Sequence, residues 1–146
     1  MTQTIYQDRA WGILRLVYGL VPLLAGLDKF FNLLTNWEQY LSPMVAQALP
    51  VPVPVFMGAI GIVEMAVGAA VLSRWTKQAA YLAAAWLLAI AANLAIAGAH
   101  LDVAVRDLAL AAGAYTLAQL TAAREASETR SNEPASRREA IRPHAV

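Results

Sequence analysis

Ionisable side chains stand inside stretches of this sequence that are otherwise apolar, and their types could support chemistry. Six such residues occur: Arg15, Asp28, Lys29, Glu64, Arg106 and Asp107. A charge at the centre of a bilayer costs roughly 3 kcal/mol on insertion scales, so each group needs a partner or a hydrated cavity. Residues of this kind fix the register of helices, line ligand sites or carry protons.

The composition identifies the surroundings of these charges. The chain has 146 residues, of which 59% are hydrophobic and 14% charged, whereas a soluble domain has about 25% charged residues. Of 21 charged residues (11 basic, 10 acidic), nine fall in residues 124–146, which leaves twelve for the first 123. The net charge of +1 gives no basic surface for nucleic acid, and the absence of cysteine excludes thiol chemistry and thiolate-bound metal. The sequence therefore predicts a body embedded in a lipid bilayer.

Four stretches are long and apolar enough to cross a bilayer as helices, which takes about 20 residues. They cover residues 11–34, 53–72, 79–98 and 103–122, and the third has Asn93 as its only strongly polar side chain. We therefore predict an all-α, integral membrane four-helix bundle in residues 1–123. Residues 124–146 are charged and lack periodicity, so we expect a disordered cytoplasmic tail, with residues 124–130 as a possible extension of the last helix.

The distribution of Lys and Arg predicts the orientation of the bundle. Basic residues concentrate near the N-terminus, in the short turn after residue 72 and in the tail. Because cytoplasmic loops carry an excess of Lys and Arg, this pattern predicts that both termini lie in the cytoplasm.

Small residues and charges share helix faces, since spacings of three and four place side chains on one stripe. The first predicted helix carries the stripe Arg15, Gly19, Gly26 and Lys29. The second carries Gly61, Glu64 and Gly68. Because glycine lets two backbones approach closely, we expect the four glycines to pack helices together. Counted along the predicted spans, Arg15 and Glu64 lie at similar depths, so we predict an Arg15–Glu64 ion pair.

A second group of charges is expected at the opposite, outer level of the bundle. It comprises Asp28, Lys29, Arg106 and Asp107, with His100 and Asp102 on the adjoining loop and Asn93 slightly deeper. Asp102 is the expected N-cap of the last helix. Two interpretations of the buried charges stay open: structural pairs that fix helix register, or a small polar cavity for a ligand, a quinone head group or a proton. We expect no metal site, since His100 has no second His or Cys nearby.

Several short motifs suggest a family. Arg15, Gly19 and Ala25-Gly26-x-x-Lys29, followed by Glu64-x-x-x-Gly68, resemble the DoxX family of small integral membrane proteins. Asp28-Lys29-Phe30-Phe31, Asn36-Trp37 and Tyr40-Leu41-Ser42-Pro43 resemble a DoxX-like subgroup. The resemblance covers about residues 10–122. It implies a multi-pass protein of the bacterial inner membrane, in a family with members linked to redox complexes, and it implies no catalytic activity of this chain.

Two functions follow as hypotheses. The first is a non-catalytic membrane component or accessory subunit of a redox-related assembly, with an oxidoreductase or a second copy of the chain as partner. It agrees with a sequence that places no nucleophile beside a base and has no phosphate-binding loop. The alternative is a membrane protein that binds a quinone or another small molecule in a polar pocket around Glu64 and Arg15.

Overall fold

The computed structural model describes residues 2–98 and 100–132, and all regular structure in them is helical. In chain order the elements are α1 (Thr2–Asp28), the 3-10 helix η1 (Trp37–Tyr40), the short α2 (Pro43–Ala48), α3 (Val53–Leu72), α4 (Thr76–Ala97) and α5 (Leu101–Ser131). The prediction of an all-helical protein is confirmed for these residues.

Three of the helices are long and apolar enough to cross a membrane: Ile5–Asp28, Val53–Leu72 and Thr76–Ala97. The predicted fourth span, residues 103–122, lies within α5, which is helical throughout but does not reach the same apolarity. Helices of this length and composition are those of a membrane protein.

The first span was predicted to end at residue 34, and this boundary is wrong because α1 ends at Asp28. The Asp28 carboxylate accepts hydrogen bonds from the backbone N–H groups of Leu33 and Leu34, which folds the chain back over the helix end. Asn32 adopts a left-handed conformation (φ 51°) within this turn. The helix therefore stops where a side chain captures the N–H groups of the residues that follow.

The last helix begins and ends differently from expectation. His100, in a left-handed conformation, occupies the N-cap of α5 without a side-chain cap, so the predicted N-cap role of Asp102 is wrong. Asp102 lies instead in the first turn, where a carboxylate favours the helix dipole. At the other end α5 continues to Ser131, held against the bundle by the ion pairs Arg124–Asp8 and Lys77–Glu125. The rest of the predicted disordered tail, residues 133–146, lies outside the described residues.

The four long helices pack as two pairs, α1 with α3 and α4 with α5, and contacts of α3 with α4 and of α1 with α5 join the pairs. Small side chains fill the space between them: Ala79, Ala80, Ala83, Ala84, Ala114 and Ala118. Large apolar side chains of α1 point outward, among them Ile13, Leu16, Leu20 and Leu24. Small residues inside and large apolar ones outside are the arrangement expected of helices packed in lipid.

Candidate functional site

Close contact between α1 and α3 brings the site together. A Cβ atom on Gly26 would lie 2.5 Å from the carbonyl oxygen of Gly61, and one on Gly68 would lie 2.5 Å from that of Gly19. Both distances are shorter than any normal contact, so the two backbones touch at both crossings. The structure thus places the four glycines at the α1–α3 contact.

A buried ion pair lies beside this contact. Lys29 Nζ donates to Glu64 Oε2 at 2.6 Å, and the two side chains are 3% and 12% exposed. The predicted Arg15–Glu64 pair is therefore wrong, since Glu64 is paired with Lys29. We call the end of the bundle where α1 and α4 end and α3 and α5 begin the Lys29 end, and the opposite end the Arg15 end.

Arg15 finds its partners at the end of α3. Its Nε donates to the carbonyl oxygen of Val71 at 3.2 Å, and its Nη2 donates to those of Leu72 and Ser73 at 2.5 and 2.9 Å. The last carbonyl groups of a helix have no partner within it and carry its negative dipole end, so a guanidinium binds them well. Glu64 lies eight residues before Leu72, about 12 Å along the helix, which puts it out of reach of Arg15.

Trp37 covers the buried pair from the loop side. The Lys29 ammonium lies 3.8 Å from the centroid of the Trp37 ring, a cation–π contact. The indole Nε1 donates to Asp28 Oδ2 at 2.8 Å, so the carboxylate that ends α1 also orients the ring. Sequence reasoning uses Trp37 only as part of the Asn36-Trp37 motif, because nothing in the spacing of a loop residue fixes which helix end it covers.

A second contact fastens η1 to the other half of the bundle. Asn93 Nδ2 donates to the carbonyl oxygen of Tyr40 at 2.9 Å, and the Tyr40 ring meets His100 edge-on at 4.9 Å. Asn93 therefore binds the loop and no charged group. Its Oδ1 is buried without a hydrogen-bond partner in the described residues, as is Nε1 of Trp86.

Arg106 and Asp107 form a pair of their own. Arg106 Nη2 donates to Asp107 Oδ1 at 3.0 Å, with the two side chains 62% and 4% exposed. Within residues 2–98 and 100–132 this pair has no ion pair or hydrogen bond to Lys29 or Glu64. The charges expected at the outer level therefore do not share one network of ion pairs, because Asp28 binds its own loop and Asp107 binds its sequence neighbour.

An open cavity of about 540 Å³, which we call the Lys29 cleft, lies between the end of α1, η1 and the start of α3. Three polar side chains line it: Lys29, Asn32 and Glu38. The rest of the lining is apolar or aromatic, apart from one glycine: Phe30, Trp37, Pro54, Val55, Met57, Gly58, Ala59 and Ile62. Phe30, Val55 and Ile62 are half-exposed on the apolar outer surface of the bundle. The cleft therefore opens toward the region that lipid would occupy.

The chemistry available here is that of binding. Apolar walls with a few polar groups are typical of small-molecule sites. No group of three His, Asp or Glu residues in the part of the chain that the structure describes could hold a metal ion. The site can enclose an apolar molecule and place its polar part near Lys29, Asn32 or Glu38.

The fold and the site thus define a small all-helical protein with three helices apolar enough to span a membrane and a cleft at one end of the bundle. A scan against protein-family models and searches of curated proteins and of solved structures found no match for the chain. The resemblance to the DoxX family stays a prediction.

Proposed function

We propose that this chain is a four-span membrane protein that binds a small apolar molecule with a polar head group in the Lys29 cleft. One observation carries the proposal: a charged pair, Lys29 with Glu64, is buried among apolar helices beside an open cavity of about 540 Å³. That volume falls in the range of small-molecule sites, roughly 300–1,000 Å³. Ionisable residues inside membrane spans are rare, and they commonly mark the path or binding site of a substrate or ion.

The fourth span of this proposal is α5. Its buried side chains, Ala104, Ala111, Ala114 and Ala118, form a small-residue face, and α5 packs against α4. Four spans place both termini on one side, and the basic residues near that side support a cytoplasmic location in a bacterial inner membrane. A reporter fused after Val146 should then read cytoplasmic, and a periplasmic reading would overturn this orientation.

Quinones are one of the ligand classes considered from the sequence, and they suit a cleft with apolar walls. The Asn32 amide can donate to a carbonyl oxygen, while Phe30 and Val55 contact the apolar part. Arg15 plays no role in this version, since its donors bind the end of α3.

A neutral quinone tests the cleft directly. Decylubiquinone is titrated into protein in lipid nanodiscs, and binding is followed by quenching of tryptophan fluorescence, with Trp37 in the cleft as the nearest reporter. In the variant Gly58→Leu the new side chain fills the cleft, because a Cβ there meets only the Phe30 ring at 3.5 Å. The matched control is Gly12→Leu, where nothing lies within 4 Å of the added Cβ. We expect quenching to be lost in the first variant and kept in the second; equal quenching in both would overturn the proposal.

Replacing Glu64 separates the two roles of the buried pair. In Glu64→Gln, an amide replaces the carboxylate that binds Lys29 at 2.6 Å. Loss of decylubiquinone binding by a variant that still folds supports a functional role. Loss of folding supports a purely structural pair, since leaving one buried charge unpaired costs about 3–5 kcal/mol.

An accessory role in a redox-related assembly is a second candidate. The observation that favours it is the extension of α5 to Ser131, beyond the predicted span, where polar side chains face outward and could contact a partner outside the bilayer. Co-purification of an oxidoreductase from gently solubilised membranes tests it. A protein that stays free of partners in several mild detergents would count against it.

A further inference from the structure

We propose that the Lys29 cleft selects apolar molecules that carry a positive charge. The inference rests on the proposed function, since it assumes that the cleft binds a small apolar molecule, and it names the class of that molecule. The groups that decide it are the Glu38 carboxylate and the rings of Phe30 and Trp37.

Glu38 is the charged group of the cleft that lacks compensation. It is partly buried in the lining and has neither an ion pair nor a side-chain hydrogen bond within the described residues. The other charged group in the lining, Lys29, is bound to Glu64 at 2.6 Å. The Asp28 carboxylate next to Lys29 accepts N–H donors and forms no ion pair within the described residues. The local charge around the cleft is therefore negative, which attracts a cation.

The aromatic residues strengthen this preference. Phe30 lines the cleft with a half-exposed ring that makes no aromatic or cation–π contact in the described part of the chain. The Trp37 ring already holds one cation, the Lys29 ammonium, on one of its faces. Aromatic faces attract organic cations most strongly where water is excluded. Pro54, Val55 and Ile62 add the apolar wall that the rest of such a molecule needs.

An anionic ligand is disfavoured on the same grounds. It would need a free cationic group, and the Lys29 side chain is 3% exposed and engaged by both Glu64 and Trp37. It would also bring a second negative charge toward Glu38 in a region of low dielectric constant, where like charges repel more than in water.

Two ions of the same shape and opposite charge provide the test: tetraphenylphosphonium and tetraphenylborate. Each is titrated into the full chain in nanodiscs of uncharged lipid, with empty nanodiscs correcting for partition into the bilayer. We expect saturable binding of tetraphenylphosphonium to the wild-type protein and none of tetraphenylborate. Tetraphenylphosphonium should compete with decylubiquinone for the cleft, whereas tetraphenylborate should not displace it.

The variant Glu38→Gln keeps the shape of the side chain and removes its charge. We expect it to weaken the binding of tetraphenylphosphonium about fivefold more than it weakens the binding of decylubiquinone, which carries no charge. The matched control is Asp102→Asn, an exposed carboxylate at the same end of the bundle that does not line the cleft, and it should leave both affinities unchanged. Because Glu38 makes no side-chain bond in the described residues, its replacement should not disturb folding.

The outcomes separate this inference from the proposed function. Binding of decylubiquinone without a preference for tetraphenylphosphonium, or a preference that survives Glu38→Gln, overturns the charge selectivity and leaves the cleft as a site for neutral molecules. Failure of all three probes to bind in a folded protein overturns both.

Discussion

The α1–α3 pair holds a cation at each end, and the two cations have different kinds of partner. At the Arg15 end, the guanidinium binds three main-chain carbonyl oxygens at the end of α3. At the Lys29 end, the ammonium binds the carboxylate of Glu64 and lies on the ring of Trp37. The first set of partners belongs to any helix end, whereas the second exists only because particular side chains are present.

The surroundings of the two cations also differ: helix contacts surround Arg15, whereas a cleft lies beside Lys29. Trp11 lies between Arg15 and Arg124, with the guanidinium carbons 5.0 and 4.3 Å from its ring, and its Nε1 donates to Thr121 Oγ1 at 2.9 Å. These contacts join α1, α3 and α5 around Arg15. The Lys29 end has the cleft instead. The comparison indicates that Arg15 serves the assembly of the bundle, while the proposed binding site lies at the Lys29 end.

Removing Arg15 should have the largest effect on stability. In Arg15→Met, the carbonyl oxygen of Leu72 loses its side-chain donor and those of Val71 and Ser73 keep only the Thr76 hydroxyl, so we expect the free energy of unfolding to fall by about 3 kcal/mol. Unfolding in mixtures of a mild detergent and dodecyl sulfate, followed by circular dichroism, measures this. The folded fraction should still bind decylubiquinone.

The control for this variant is Arg74→Met, because replacing Arg106 would leave the buried Asp107 carboxylate unpaired. Arg74 is exposed, lies over the Trp75 ring and has no ion pair within the described residues, so we expect a change of no more than about 1 kcal/mol. If Arg15→Met proved as mild as this control, or abolished ligand binding in folded protein, the assignment of the Arg15 end to assembly would be wrong.

Adding one methyl group at the α1–α3 crossing should have an intermediate effect. In Gly68→Ala the new Cβ would lie 2.5 Å from the carbonyl oxygen of Gly19, so the backbones must separate, at about 2 kcal/mol. Gly58→Ala on the same helix is the control: its Cβ meets only the Phe30 ring at 3.5 Å, so alanine fits and should not destabilise α3. The same unfolding assay compares them, and equal stabilities would show that the crossing can relax.

Helical periodicity was enough to place the four glycines on facing stripes, but it could not choose the partner of Glu64. The predicted depths assumed that the first span begins at residue 11. In the structure α1 begins at Thr2 and extends past the end of α3, so Arg15 lies level with that end and Glu64 lies deeper. The axial offset between two packed helices depends on contacts along their whole length. The residues of the two glycine stripes alone therefore do not determine it.

The cleft could not be predicted from the sequence either, because it depends on contacts between residues that no periodic pattern connects. Its wall at η1 depends on how the chain between α1 and α3 folds back, and that path is fixed by hydrogen bonds to Asp28 and from Asn93. Those bonds join residues from 5 to 53 positions apart, with no periodicity to reveal them. Only the end of α1 could have been predicted, because an Asp side chain can accept hydrogen bonds from the N–H groups of a following turn and so end a helix.

The smallest effect on stability is expected for Trp37→Phe, and this variant sharpens the contrast between the two ends. Phenylalanine keeps a ring over Lys29 but loses the indole N–H that donates to Asp28 at 2.8 Å. Asp28 retains the backbone donors of Leu33 and Leu34, so we expect the unfolding midpoint to fall by no more than about 4 °C. Ligand affinity should fall more clearly, because Trp37 lines the cleft and its ring loses the bond that orients it.

Thermal unfolding and decylubiquinone titration on the same preparation provide both measurements; because Trp37 itself is replaced, the titration uses competition with a radiolabelled quinone. The matched change at the Arg15 end is Trp11→Phe, which removes the hydrogen bond to Thr121 and weakens the stacking on both arginines. We expect that variant to lose stability and keep affinity, the reverse of Trp37→Phe. If both substitutions lowered stability and affinity alike, the two ends would act as one unit, and the separation of assembly from binding along the α1–α3 pair would fail.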